Sequence, residues 1–185
     1  MRRFILTGTP GSGKTAILRQ LEMDGCSVVE EAATDLIALR QAQGIAEPWM
    51  QDSFLEAVVD LQAQRLARAS QESAKVQFHD RSVICTLALA RYLDRPAPDA
   101  LLREVERFQA ANSFHKEVFF IRNLGFIQPT DARRISYENS LHFERIHEET
   151  YQECGCTLIF IQPAALQERV ATIHQAVRSI LTRTA

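Results

Sequence analysis

The segment Gly8-Thr9-Pro10-Gly11-Ser12-Gly13-Lys14-Thr15 fits the pattern G-x-x-x-x-G-K-[ST], directly after an apolar run and directly before residues with helical spacing. A backbone that wraps a phosphate must turn successive N–H groups inward, which requires dihedrals open only to glycine at some positions. The helix that follows adds the partial positive charge of its N-terminus. Three of the seven glycines of the chain fall in this segment. A chance glycine-rich turn would not carry a strand on one side and a helix on the other, so residues Gly8 to Thr15 are read as a nucleotide-binding loop. Lys14 is then placed to bridge the outer phosphates, and Thr15 to ligate Mg²⁺.

The rest of the pattern is consistent with that start. Apolar strand runs are expected at Arg3 to Thr7, around Val28 and Val29, at Lys75 to Asp80, at Glu117 to Ile121 and at Thr157 to Ile161. Helical spacing occupies Gly13 to Leu21, Ala32 to Leu39, Ser82 to Tyr92, Leu101 to Phe108, Tyr137 to Glu153 and Ala164 to Leu181. Pro48 is expected to open one long helix that runs to about Ser70. Near-continuous apolar strands alternating with helices predict an α/β fold with a parallel sheet covered on both faces. Ligands in such sheets bind beyond the carboxyl ends of the strands. The loops there carry Lys14, Glu31, Asp80 and Arg122.

At 185 residues, 46% hydrophobic, the chain can bury one core and is too short for two ordinary domains, so residues 1–185 read as a single domain. With 21 basic and 23 acidic side chains and a formal charge of -2, nothing global attracts nucleic acid. No run is long enough to cross a bilayer or to serve as a signal peptide, which predicts a cytoplasmic protein with no membrane partner. The sequence does not specify an oligomeric state. Cys26 and Cys85 lie in apolar patterns, and Cys154 and Cys156 flank Gly155 with no further ligand pair. Disulfides and zinc are not expected.

Other candidate residues follow from the same strand ends. Asp80 stands where an acidic residue holds Mg²⁺ directly or through water, and Arg81 follows it; an ordinary solvated ion pair is the alternative. No Asp-x-x-Gly follows this strand and no Asn-Lys-x-Asp occurs, against a signalling GTPase. Arg81 occupies the position of the glutamate that a motor-type ATPase would need. The strand ends instead in Asp-Arg-Ser, as in kinases of small molecules. Glu30 and Glu31 end the second strand; either could receive or hold a substrate hydroxyl, or simply complement a helix dipole, and alternation lets only one of them face the site. Arg133 and Arg134 sit in an irregular stretch and could clamp transferring phosphoryl oxygens or belong to a solvated loop. His142 and His147, near Glu148 and Glu149, read as a charged exposed surface. Trp49 reads as a packing residue.

Taken together, these segments resemble the P-loop kinase-like family of AAA-domain predicted ATPases, related to nicotinamide riboside kinase domains and, more distantly, to deoxynucleoside and thymidylate kinases. The resemblance rests on the loop at Gly8 to Thr15, Val28-Val29-Glu30-Glu31-Ala32-Ala33, Asp80-Arg81-Ser82, Asp131-Ala132-Arg133-Arg134, Glu149-Thr150-Tyr151, and Phe160-Ile161-Gln162-Pro163 with Glu168-Arg169. It implies a sheet ordered 2-3-1-4-5, ATP with Mg²⁺ held by Thr15 and Asp80, an arginine-bearing lid over the phosphates, and a segment near Gln162 to Ala165 that passes the adenine. It also favours Glu31 over Glu30 as the site glutamate. Thr34 and Cys85 depart from the family, which often has arginine and aspartate there, so the acceptor cannot be copied from a relative. Two functions are consistent with this reading. One is a kinase transferring the γ-phosphoryl group of ATP to a nucleoside-like hydroxyl, with Lys14, Glu31, Asp80, Arg81, Arg133 and Arg134 as catalytic candidates. The other is an ATP-dependent switch with slow hydrolysis and no small-molecule acceptor. Glu31 together with Asp80 and Arg81 favours the kinase, because a switch does not need them together.

Overall fold

Each apolar run becomes a strand, and all the strands pair in parallel. β1 (Arg2–Thr7), β2 (Ser27–Val29), β3 (Val76–Asp80), β4 (Glu117–Ile121) and β5 (Thr157–Ile161) form one five-stranded sheet in the order β2-β3-β1-β4-β5. The computed structural model describes residues 1–111, 113–125 and 135–183. Arg133 and Arg134, with most of the expected lid, lie outside the described residues.

Register and pleat sort the core into two layers. β1 aligns Phe4 with Phe78 of β3 and Ile5 with Val118 of β4. Alternation then sends Phe4, Leu6, Phe78, Phe119 and Ile121 to one face, where they pack against α1 (Lys14–Met23) and α7 (Leu166–Arg183). Ile5 and Val118 face the other side, packing on α2 (Ala32–Ala42), α3 (Phe54–Ala69), α4 (Val83–Tyr92), α5 (Asp99–Ala110) and Tyr151 of α6 (Tyr137–Glu153). Helices on both faces leave the carboxyl ends of the strands as the open rim.

One helix is shorter than the sequence pattern predicts. Pro48–Met50 forms a short 3₁₀ turn, and α3 begins only at Phe54. The cause is Arg95, whose guanidinium donates to the carbonyls of Trp49 at 3.2 Å, Met50 at 2.7 Å and Gln51 at 3.1 Å. Carbonyls held from outside do not enter an i to i+4 ladder, and Gln51 turns extended. Similarly β2 stops at Val29, before Glu30 and Glu31. Arg65 donates to the carbonyls of both glutamates, at 2.8 and 2.6 Å. Tertiary contacts, not local propensity, set both boundaries.

Gly8 brings the first loop against β4. Its φ is +147°, and a Cβ there would lie 2.5 Å from the Ile121 carbonyl oxygen. Gly8→Ala is therefore expected to cost about 1–3 kcal/mol in denaturant unfolding, and more than Gly25→Ala, where a Cβ meets nothing within 4 Å. Equal midpoints for the two variants would show that this approach is not tight.

Candidate functional site

Four consecutive carbonyls of the first loop are each held by a different donor. Ser12 N donates to the Thr9 carbonyl at 3.2 Å, Asn123 Nδ2 to that of Pro10 at 3.3 Å, and Leu124 N to that of Gly11 at 3.2 Å. Arg169 Nη2, from α7, donates to the carbonyl of Ser12. Across a trans peptide the C=O and the following N–H point in opposite directions, so fixing the oxygens of Pro10 and Ser12 turns the N–H groups of Gly11 and Gly13 the other way. Pro10 has no N–H, and that of Ser12 donates to the Thr9 carbonyl. Gly13 then takes φ 72°, a left-handed conformation open to glycine, and starts α1. The N–H groups of the first helical turn have no intrahelical acceptor and add to the same concavity. The loop thus has the backbone course that a nest of N–H groups requires.

Two ion pairs occupy the rim beside it. Lys14 Nζ pairs with Asp80 Oδ1, both side chains being buried. Burial raises the Asp80 carboxyl above its usual range, with Glu31 acting in the same direction and Lys14 opposing. Arg81 Nε lies 2.7 Å from Glu31 Oε1, with only 13% and 15% of the two side chains exposed. Asp80 and Arg81 thus do not form an exposed strand-end pair with each other; each is matched to a different loop. Burial lowers the Arg81 pKa, but Glu31, Cys85 and Asp80 reverse the effect and raise it, so the guanidinium stays charged. Arg81 also has φ 71°, a costly conformation for a non-glycine residue that tends to occur at functional sites.

The two glutamates take different partners. Glu30 is exposed and pairs with Arg19 at 2.6 Å. Glu31 turns inward, accepts from Thr34 Oγ1 at 2.8 Å and pairs with Arg81. Thr34, a departure from the family pattern, therefore supports the glutamate directly. Cys85, the other departure, is buried with its Sγ 3.0 Å from both Thr7 Oγ1 and Tyr151 Oη.

Two concavities meet at Glu31. A cleft of about 160 Å³ is lined by Thr15, Asp80, Glu30 and Glu31. A cavity of about 350 Å³ runs from Pro10, Glu31 and Arg81 between Gln62, Trp49, Phe54 and Tyr92. A third, of about 220 Å³, lies on the other side of Arg81 over His79 and Phe114. Trp49 both packs and lines the 350 Å³ cavity.

His147 corrects the expectation of an exposed charged surface, because it is fully buried, unlike His142. Its Nδ1–H donates to the Phe143 carbonyl at 3.1 Å, leaving Nε2 to accept from Arg81 Nη1 at 3.3 Å. Helical spacing of polar residues hid this, since the partner is remote in sequence. Arg122 directly follows the strand end and is held by α6. It pairs with Glu144 and Glu148 at 3.0 and 2.8 Å and lies 4.1 Å from the centroid of Phe160. Glu144 also accepts from Asn123 N and Thr9 Oγ1, tying α6 to the loop. The role of Asn123 has no local sequence signal.

A family model described as AAA domain matches residues 3–169. No curated protein matches the chain in sequence. Among solved structures, deoxyadenosine kinase from M. mycoides with products dCMP and dCDP bound has a TM-score of 0.65 at 13% identity, covering 96% of this chain and 99% of that one. The same enzyme with bound dATP has a TM-score of 0.65 at 12% identity over 96% of this chain and 100% of that one. NadR in complex with NAD and AMP-PNP has a TM-score of 0.69 at 16% identity, covering 94% of this chain and 49% of that one. This chain therefore spans about half the length of NadR.

His147 and His79 are both depressed to about 3, by burial first and by the charge of Arg81 or Arg3 second. From the ordinary 6.5 down to about 3 the unfolded chain binds protons that the folded chain does not, so folding stability falls as pH falls through this window. Each histidine is expected to contribute a slope of about 1.4 kcal/mol per pH unit. His147→Asn should remove one such contribution from a plot of unfolding free energy against pH, and an unchanged slope would count against the neutral buried tautomer.

Proposed function

The chain belongs to the AAA-domain family, and we propose that it is an ATP-dependent phosphotransferase acting on a small, nucleoside-like hydroxylated metabolite. The observation that carries this reading is the position of Glu31, which lines both the cleft next to Thr15 and Asp80 and the 350 Å³ cavity. A carboxylate on that boundary stands between a nucleotide on the loop and a molecule in the cavity. The cavity is within the usual size of small-molecule sites, about 300–1,000 Å³, and is walled by aromatic and aliphatic side chains with few polar groups. A switch that engages a protein partner needs no such chamber, so the kinase is the favoured reading.

In this proposal the nest and Lys14 hold the triphosphate, Lys14 exchanging Asp80 for the outer phosphates. Thr15 and Asp80 share one cleft and present a hydroxyl and a carboxylate, a donor set that fits Mg²⁺. When bound, the ion neutralises charge on the β and γ oxygens. Glu31 accepts the proton of the acceptor hydroxyl as its oxygen bonds to the γ phosphorus and the bond to ADP breaks. Arg81 keeps Glu31 oriented and charged, while the amide of Gln62 and the rings of Trp49 and Tyr92 line the space for the acceptor. Catalysis is then positioning and charge stabilisation. The kinase neighbours, which bind nucleotides, support the ATP site. Arg133 and Arg134 keep their proposed part as lid cations.

A metabolite mixture incubated with the protein and Mg-ATP should yield a product heavier by one phosphoryl group. Lys14→Ala should abolish that product or the binding of ATP. Glu31→Gln keeps the shape and removes the charge; it should lower transfer by ~10² or more with ATP binding intact. Normal transfer by Glu31→Gln with loss in Glu30→Gln would reverse the assignment. ATP consumption with no phosphorylated metabolite would favour the switch.

A further inference from the structure

The cations near the loop are not equally matched by carboxylates. Lys14 has Asp80, Arg81 has Glu31, and Arg122 has Glu144 and Glu148. Arg169 is only 4% exposed and, among the described residues, has no carboxylate partner. One guanidinium nitrogen donates to the carbonyl of Ser12, whereas Nε is buried with no hydrogen-bond partner. Burial lowers its pKa with no opposing acid. Its guanidinium also packs behind the turn, Nη1 lying 3.0 Å from where a Gly13 Cβ would be.

A buried cation with no counter-charge opposes folding and is retained where an anion arrives to match it. Here the concavity formed by the Gly13 and Lys14 N–H groups is on the opposite side of the peptide that Arg169 holds. We propose that Arg169 is a positioning residue for polyphosphate: it fixes the Ser12–Gly13 peptide with its N–H turned inward, and the bound phosphates supply the counter-charge that no described carboxylate provides. This deepens the nucleotide-site reading and rests on it. The ligand chemistry is the phosphate chain itself, independent of the base or the acceptor.

The probe is inorganic tripolyphosphate with Mg²⁺, titrated by calorimetry against the full chain, with a thermal melt of each free variant to confirm folding. Arg169→Met should weaken binding about tenfold or more, the size expected for one nearby charge in a protein-like dielectric together with a lost hydrogen bond. Arg169→Lys should recover most of that loss. Wild-type affinity should also fall more steeply with added salt than that of Arg169→Met, which a purely structural clamp would not produce. If Arg169→Met binds tripolyphosphate as wild type does, or keeps the wild-type salt dependence, the proposal is overturned while the nucleotide site stands. If wild type itself binds neither tripolyphosphate nor Mg-ATP, the nucleotide-site reading fails and this proposal with it. Should Arg169→Met fail to fold, Arg169→Gln, polar and uncharged, carries the same two tests.

Discussion

The outward fixing of the carbonyls of Thr9, Pro10, Gly11 and Ser12 is the constraint on which the site depends. Most of the donors lie outside the loop motif. One comes from the loop itself, two from residues following β4, and one from α7, far along the chain. An isolated peptide of the same sequence would leave those oxygens to water and its amides free to rotate. The parallel sheet matters because it brings the end of β4 next to the end of β1, so Asn123 and Leu124 can reach the loop. Fold and binding loop are thus one structure.

The charged groups at the rim are paired within the protein. Lys14 with Asp80 and Arg81 with Glu31 sit in a largely buried setting, where ion pairs lose hydration and regain it only through good geometry. Such pairs hold side chains in place at modest net stability, and withdrawing one partner leaves the other charge buried and unmatched. Tyr151 and His147 of α6 add neutral partners: the first near Ser82 and Cys85, the second against Arg81. α6 therefore brings the neutral side chains of Tyr151 and His147, together with the carboxylate of Glu144, to the side that meets the site.

The sheet was legible because each strand is a short apolar run closed by a polar residue, and the bounds of β4, β5 and α6 match the pattern. Alternation limited the site to one of Glu30 and Glu31, and the family resemblance favoured Glu31, which is the one that pairs with Arg81. What the pattern could not supply is distant: Arg95 cutting a helix short, Arg65 ending β2, Arg169 and Asn123 holding the loop. Each is an arginine or amide whose partner is a backbone carbonyl, and a carbonyl leaves no trace in residue identity. His147 was misread for a related reason, since its neighbours in sequence are charged and its neighbour in space is Arg81.

Arg95 grips the wall of the 350 Å³ cavity by main-chain oxygens only, at Trp49, Met50 and Gln51. The fastening is indifferent to which side chains those positions carry. Trp49 and Met50 both face the chamber, and Met50 is 57% exposed. Replacement there can reshape the interior while the backbone keeps its course. Divergence on this scaffold can therefore proceed by exchanging the panelling of a room whose frame is bolted elsewhere, most freely at the exposed Met50, while Trp49 also packs on the core.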